Sequence, residues 1–320
     1  MAKGKKRTKA PVDVKALMEA LDDLGTAREY VSYVNLVIDV TASDSLIDYM
    51  LEAFTPQNGH AEVRHVLLTS EAPDLPMPSD LCVIVSGESL LLGDVAAASR
   101  RMGCPAVVIA EEGETYFAED PETAAEILSN VPDDFVGIPM DDLVACNFGD
   151  ERPLDDLGRW IVNNAPAKRV SMAADFAFLR HPLSMEITRL VALQNAGVGL
   201  VFIVPGADMP VITLNQAKLV LQIASIYGQP LDYGRIVEVA VVVAGAFGFR
   251  AIAREIAGAV PVLGVGVKGL IAYSGTLTMG CAAVDYFEEG GCINGLAHAI
   301  SQAVSANQGD GAQEDASYAS

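Results

Sequence analysis

The chain has 320 residues, a formal net charge of −21 and a mean hydropathy of +0.31. That length leaves room for two domains, and so acidic a body excludes a nucleic-acid partner, whose phosphates need a basic footprint. Cys82, Cys104, Cys146, Cys281 and Cys292 show no CxxC spacing and read as buried or free thiols of a reducing compartment.

Acidic residues crowd into the first 180 positions. Beyond them the bases are only Arg189, Lys218, Arg235, Arg250, Arg254 and Lys268. Residues 1–11 form a basic tail expected to be disordered, either touching anionic lipid or simply solvated. No apolar run follows it, so no secretory signal is expected. Val14, Leu17, Leu21 and Leu24 recur at helical spacing and predict a helix over 12–31. Strands and helices then alternate. VNLVID (34–39), VRHVLLT (63–69), DLCVIVSG (80–87) and CPAVVIAEE (104–112) read as buried strands, with DFVGIPM (134–140) as the last. Helices are expected over 41–54, capped by Ser43 or Asp44, and over 89–103, 121–129 and 154–164. This alternation predicts a doubly wound, mostly parallel sheet with its ligand crevice beyond the carboxyl ends of the strands.

The first strand-to-helix turn is where a phosphate loop would sit. Such a loop needs glycines, so that backbone N–H groups can wrap a phosphate, and a lysine that reaches the terminal phosphates. Here the turn is Asp39, Val40, Thr41, Ala42, Ser43, Asp44 and Ser45. It has neither glycine nor lysine, and its two aspartates repel a polyphosphate. The order of elements nevertheless resembles an Era-like GTPase domain, with Ser45 near the last position of the phosphate loop. The resemblance departs at the chemistry. After Val108 and Ile109 the chain reads Ala110, Glu111, Glu112, Gly113 where a guanine-reading Asn-Lys-x-Asp would stand, and no Asp-x-x-Gly switch follows the third strand region. The resemblance therefore implies a degenerate, nucleotide-free relative.

Three long apolar segments follow, at 187–204, 236–249 and 256–284. The first is just long enough to span hydrocarbon, yet holds Arg189, Gln194 and Asn195. Pro205-Gly206 breaks it. Asp208 is placed as N-cap and Gly228 as stop of the next helix, and Pro261 opens the last. Gly264, Gly266, Gly269, Gly275 and Gly280 give close-packing faces, which suit helices in a membrane or a tight soluble bundle. Lys268 in this segment is costly at a bilayer centre. Pro205, Asp208, Gln216, Tyr227, Gly228, Arg254, Pro261, Gly264, Thr276 and Gly280, in this order and spacing, resemble the YcjF-type membrane-associated domain of unknown function that often follows Era-like GTPase domains. The resemblance implies a helical domain linked to membranes.

Other chemistry is sparse. His60, His65, His181 and His298 lack metal spacing. The pairs Asp133-Asp134, Asp141-Asp142 and Asp155-Asp156 suit helix dipoles better than a cation. Asp208 and Gln216, eight residues apart, share a helical face and read as a cap and a core hydrogen-bonding group. The expected architecture is an α/β domain over 12–165, a linker over 166–181, a hydrophobic helical-hairpin bundle over 182–304, and a disordered acidic tail from 305. The expected function is a non-catalytic membrane-associated scaffold or regulator on the cytoplasmic side of the cell membrane. It would have no cofactor or metal and no nucleic acid. Its expected partner is membrane lipid, a membrane protein or a second copy. The alternatives are a GTP-binding switch with an atypical loop and a soluble oligomeric interaction protein.

Overall fold

The central strands form where apolar runs leave no polar face. A computed structural model of the protein describes residues 14–111, 137–201, 208–229 and 264–291. Its described elements are α1 (Val14–Arg28), β1 (Ser32–Asp39), α2 (Asp44–Ala53), β2 (Ala61–Leu68), β3 (Leu81–Val85), α3 (Leu92–Arg101), β4 (Ala106–Glu111), β5 (Leu143–Cys146), α4 (Asp155–Asn164), α5 (Arg169–Asp175), α6 (Arg180–Val201), α7 (Met209–Ile226) and α8 (Gly264–Glu288). They fall into two compact units, one of Thr26–Leu183 and one of Ser184–Ser320 with Met1–Gly25.

In the first unit five strands pair in the order β2-β1-β3-β4-β5, all parallel. Every residue of β3 is buried, as a parallel sheet covered on both faces requires. The edge strand β2 alternates instead, with only Leu68 fully buried. The chain runs outward from β1 through α2 to β2, and in the opposite direction from β3 through α3 to β4. Right-handed crossovers then place α2 and α3 on opposite faces. On the α3 face, Val37, Cys82, Ile84, Val95, Ala96 and Val108 make one buried cluster. Elsewhere Phe54 packs against Phe176 and Phe178, with ring centroids 5.0 and 5.3 Å apart.

Two sequence expectations change here. The last strand is Leu143–Cys146. The described part of the run expected to form it holds Gly137, with φ +85°, and ends in a 3-10 turn at Met140–Asp142. A glycine in the left-handed region and a proline at 139 break the extended ladder. The residues expected as a linker form α5 and a 3-10 turn at Ala177–Leu179. Phe176 and Leu179 are buried there, and burying such side chains against Phe54 orders the segment.

In the second unit, α6, α7 and α8 pack together. Gly280 of α8 lies against Thr188 of α6, Thr276 bonds Asn195, and Gly269 faces Leu200. The register rises along α6 as it falls along α8, so these two helices are antiparallel. Gln216 bonds Thr276, and Tyr227 stacks on Phe287 at 5.9 Å, so α7 runs parallel to α8. Leu219, Val220, Ile223, Met279, Val284 and Phe287 form the apolar core. Gly228 ends α7 with φ +76°, the left-handed stop that glycine adopts most readily. Asp208 holds the N-cap position of α7 but makes no capping bond. Pro205, Arg254, Pro261, His298, Cys292, the expected helix at 121–129, the apolar segment at 236–249 and both expected tails lie outside the described residues.

Candidate functional site

Strand order 2-1-3-4-5 has its switch point between β1 and β3, where open α/β sheets place their ligand crevice. The residues there are Asp39 at the end of β1, the turn into α2, and Gly87, Glu88 and Ser89 beyond β3. The sequence pointed to the first group only.

The structure brings the two groups into one hydrogen-bonded unit. Asp39 is 1 % exposed. Its Oδ1 accepts from the Thr41 backbone N–H at 3.0 Å and from the Thr41 hydroxyl at 2.8 Å. Its Oδ2 accepts from the N–H groups of Gly87, at 3.1 Å, and Ser89, at 2.9 Å. The Thr41 hydroxyl in turn accepts from the Glu88 N–H at 2.7 Å. Gly87 permits this approach: a Cβ there would lie 2.5 Å from the Ala42 nitrogen. Two loops almost fifty residues apart are thus fastened by one carboxylate.

The rest of the turn has local structural work. Ser43 caps α2 by accepting from the Leu46 N–H at 3.2 Å, the role that serine fills at helix starts. Its hydroxyl donates to Glu111 Oε2 at 2.6 Å. Asp44 sits in the first turn of α2, where a negative charge meets the helix dipole. Ser45 is exposed. Asp39, Asp44, Glu88 and Glu111 make the mouth acidic, so it repels phosphate. The backbone donors of the β3 loop, which would otherwise hold an anion, are spent on Asp39.

Other candidate groups are structural or remain apart. Asp142 pairs with Arg100 at 2.8 Å and accepts from the Trp160 indole N–H at 3.1 Å, tying the start of β5 to α3 and α4. An open cleft of about 370 Å³ beyond β5 is lined by Asn147, Asp150, Glu151, Asp155 and Arg159. Arg159 pairs there with Asp155 at 3.1 Å and with Asp156, so much of the cleft's charge is neutralised internally. At the opposite end of the sheet Ser32 Oγ, His60 Nδ1 and Asp175 Oδ2 are buried without hydrogen-bond partners. None bonds another, so no nucleophile–base pair is assembled. Burial pushes the Cys82 thiol up to about 12, helped by Cys104, and the Cys146 thiol up to about 11, helped by Glu111. Thiols held neutral in this way are poor nucleophiles. No group of three or more His, Cys, Asp or Glu among the described residues is placed to hold a metal.

The helical unit carries the second arrangement of interest. The buried positions of α6 are Pro182, Leu183, Ser184, Thr188, Ala192, Asn195 and Gly199, small or polar from Ser184 onward, while Met185, Ile187 and Val191 pack half-buried against the apolar core. The exposed positions are Arg189, Leu190, Leu193 (60 % exposed), Gln194, Leu200 and Val201 (74 % exposed), and Leu270 on α8 is exposed as well. Inside, Thr276 Oγ1 accepts from Asn195 Nδ2 at 3.0 Å and from Gln216 Nε2 at 2.8 Å, and donates to the Ala272 carbonyl at 2.7 Å. Asn215 Nδ2 donates to Asn195 Oδ1 at 2.8 Å. Gln216 therefore meets Thr276 rather than Asp208. Among the described residues no helix is long and apolar enough to cross a membrane. No family model matches the chain, and no curated protein matches it.

Proposed function

We propose that the chain is a non-catalytic, membrane-associated scaffold or regulatory protein. In this reading a nucleotide-free, GTPase-like α/β domain faces the cytoplasm, and a helical domain of the YcjF-like kind docks on lipid. The observation that carries it is the placement of apolar side chains on α6 beyond Ser184, with Thr188 and Asn195 buried while Leu190, Leu193 and Val201 are exposed. In water that arrangement wastes apolar burial. Against hydrocarbon it is favourable, because leucine faces tails while small residues pack between helices and Asn195 bonds across them. The closed Asp39 crevice supports the nucleotide-free part, since its donors are already occupied.

The test is fractionation of the full-length protein, washing the membrane pellet first with carbonate and then with detergent. Pelleting that resists a low-salt wash supports membrane association, and release by carbonate or only by detergent separates surface docking from integral insertion. Protein found only in the supernatant as a defined oligomer would overturn the reading. The same leucine row would then be the interface of a soluble oligomer. Calorimetry with GTP, GDP and ATP tests the nucleotide-free part; measurable heat would restore the switch alternative.

A further inference from the structure

Four donors converge on one carboxylate at the place where this sheet topology puts its ligands. They are the N–H groups of Thr41, Gly87 and Ser89 and the Thr41 hydroxyl. Two serve each oxygen, so the set is built for a planar carboxylate. It is also built at a cost. Position 87 must lack a side chain, because a Cβ would collide with the backbone of Thr41 and Ala42. A negative charge is held at 1 % exposure without a cationic partner in this set, and hydrogen bonds alone compensate it.

We propose that Asp39 is a built-in ligand: its carboxylate fills a carboxylate-binding site formed by Thr41, Gly87 and Ser89 and so keeps the crevice shut. The contact is autoinhibitory in chemical terms. Any carboxylate-bearing molecule entering the crevice must displace a side chain whose effective concentration there is that of a tethered group. The inference rests on the nucleotide-free reading and explains it: the anion site of the fold has been kept and its occupant supplied from within the chain.

Chemical rescue of the full-length Asp39→Ala variant tests this. Its thermal midpoint is followed against rising formate, with chloride matching the ionic strength. Because formate binds only the folded state, the midpoint of the variant should rise by several degrees and saturate. The wild-type protein, whose site is filled, should show no such rise. No formate-specific rise in Asp39→Ala, or an equal rise in the wild type, would overturn the proposal. If Asp39→Ala does not fold in chloride, refolding in formate should recover folded protein, and failure to recover it would also overturn the proposal. Nucleotide binding by the wild type would remove the nucleotide-free reading, whereas absence of rescue would remove only this one.

Discussion

The α/β unit and the helical unit each bury an apolar cluster but treat their remaining residues differently. In the sheet, β3 buries all five of its apolar residues, and the charged Glu62 and Arg64 sit on the edge strand β2. In the helical unit, Thr188, Asn195, Gln216 and Thr276 are fully buried while Leu193 and Val201 face outward. The first pattern is a protein folded against water. The second matches helices whose close approach depends on small residues and shared hydrogen bonds, with leucine left for an apolar neighbour. The helical unit therefore adds a polar network to an apolar core of Leu219, Val220, Ile223, Met279, Val284 and Phe287, and leaves part of its apolar surface outside.

Substitutions at the small and polar contacts sharpen that contrast, and the largest effect should come from Gly280. A side chain there overlaps Thr188. Gly280→Leu should therefore destabilise the helical unit by about 3 kcal/mol, through overpacking between α6 and α8. Limited proteolysis should show early cleavage in that unit while Thr26–Leu183 stays protected. Uniform loss of protection in both units would erase the distinction between them.

Thr276→Val should cost about 2 kcal/mol, because it leaves the buried amide donors of Asn195 and Gln216 without their shared acceptor. The triple change Asn195→Leu, Gln216→Leu and Thr276→Val should be less harmful than the single one, since it removes both sides of the Thr276 bonds and strands only the half-buried Asn215 amide. Chemical denaturation of the three proteins checks the order.

The smallest effect is expected in the sheet. The Cys82 thiol sits at about 12 when folded against an ordinary value of 9.0. The raised folded value means that its contribution is complete below pH 9.0. Above that the unfolded thiol loses its proton while the folded one keeps it, so stability falls as pH rises towards about 12. Between about pH 8 and about pH 10 the loss should be about 1 kcal/mol. Cys82→Ala should flatten that slope, as read from urea midpoints at the two pH values.

Much of the sheet was legible. β1, β3 and β4 are short apolar runs bounded by turn residues, and Ser43 as a cap follows from its place before an amphipathic run. β5 was not, because LVAC is only four residues long and stands behind two aspartates, while the more apolar run before it is broken by Gly137 and Pro139. The order just after α5 had a signal in Phe176, Phe178 and Leu179, whose clustering is too apolar for a free linker. The role of Asp39 had none: its partners Gly87 and Ser89 lie 48 and 50 residues away, and local patterning does not report long-range bonds. The polarity of α6 was hidden for a related reason. Its sequence shows leucines and polar residues together, and only the positions of α7 and α8 decide which of them is inside.

The most direct test of this account is flotation of the full-length protein with neutral phosphatidylcholine vesicles, compared with a variant carrying serine at Leu190, Leu193, Leu200 and Val201. Neutral lipid removes any attraction of the basic N-terminus for anionic headgroups. The account predicts that the wild type floats with the vesicles and that the variant stays at the bottom with its far-ultraviolet circular dichroism unchanged. Equal flotation of both proteins, or none by either, would contradict it.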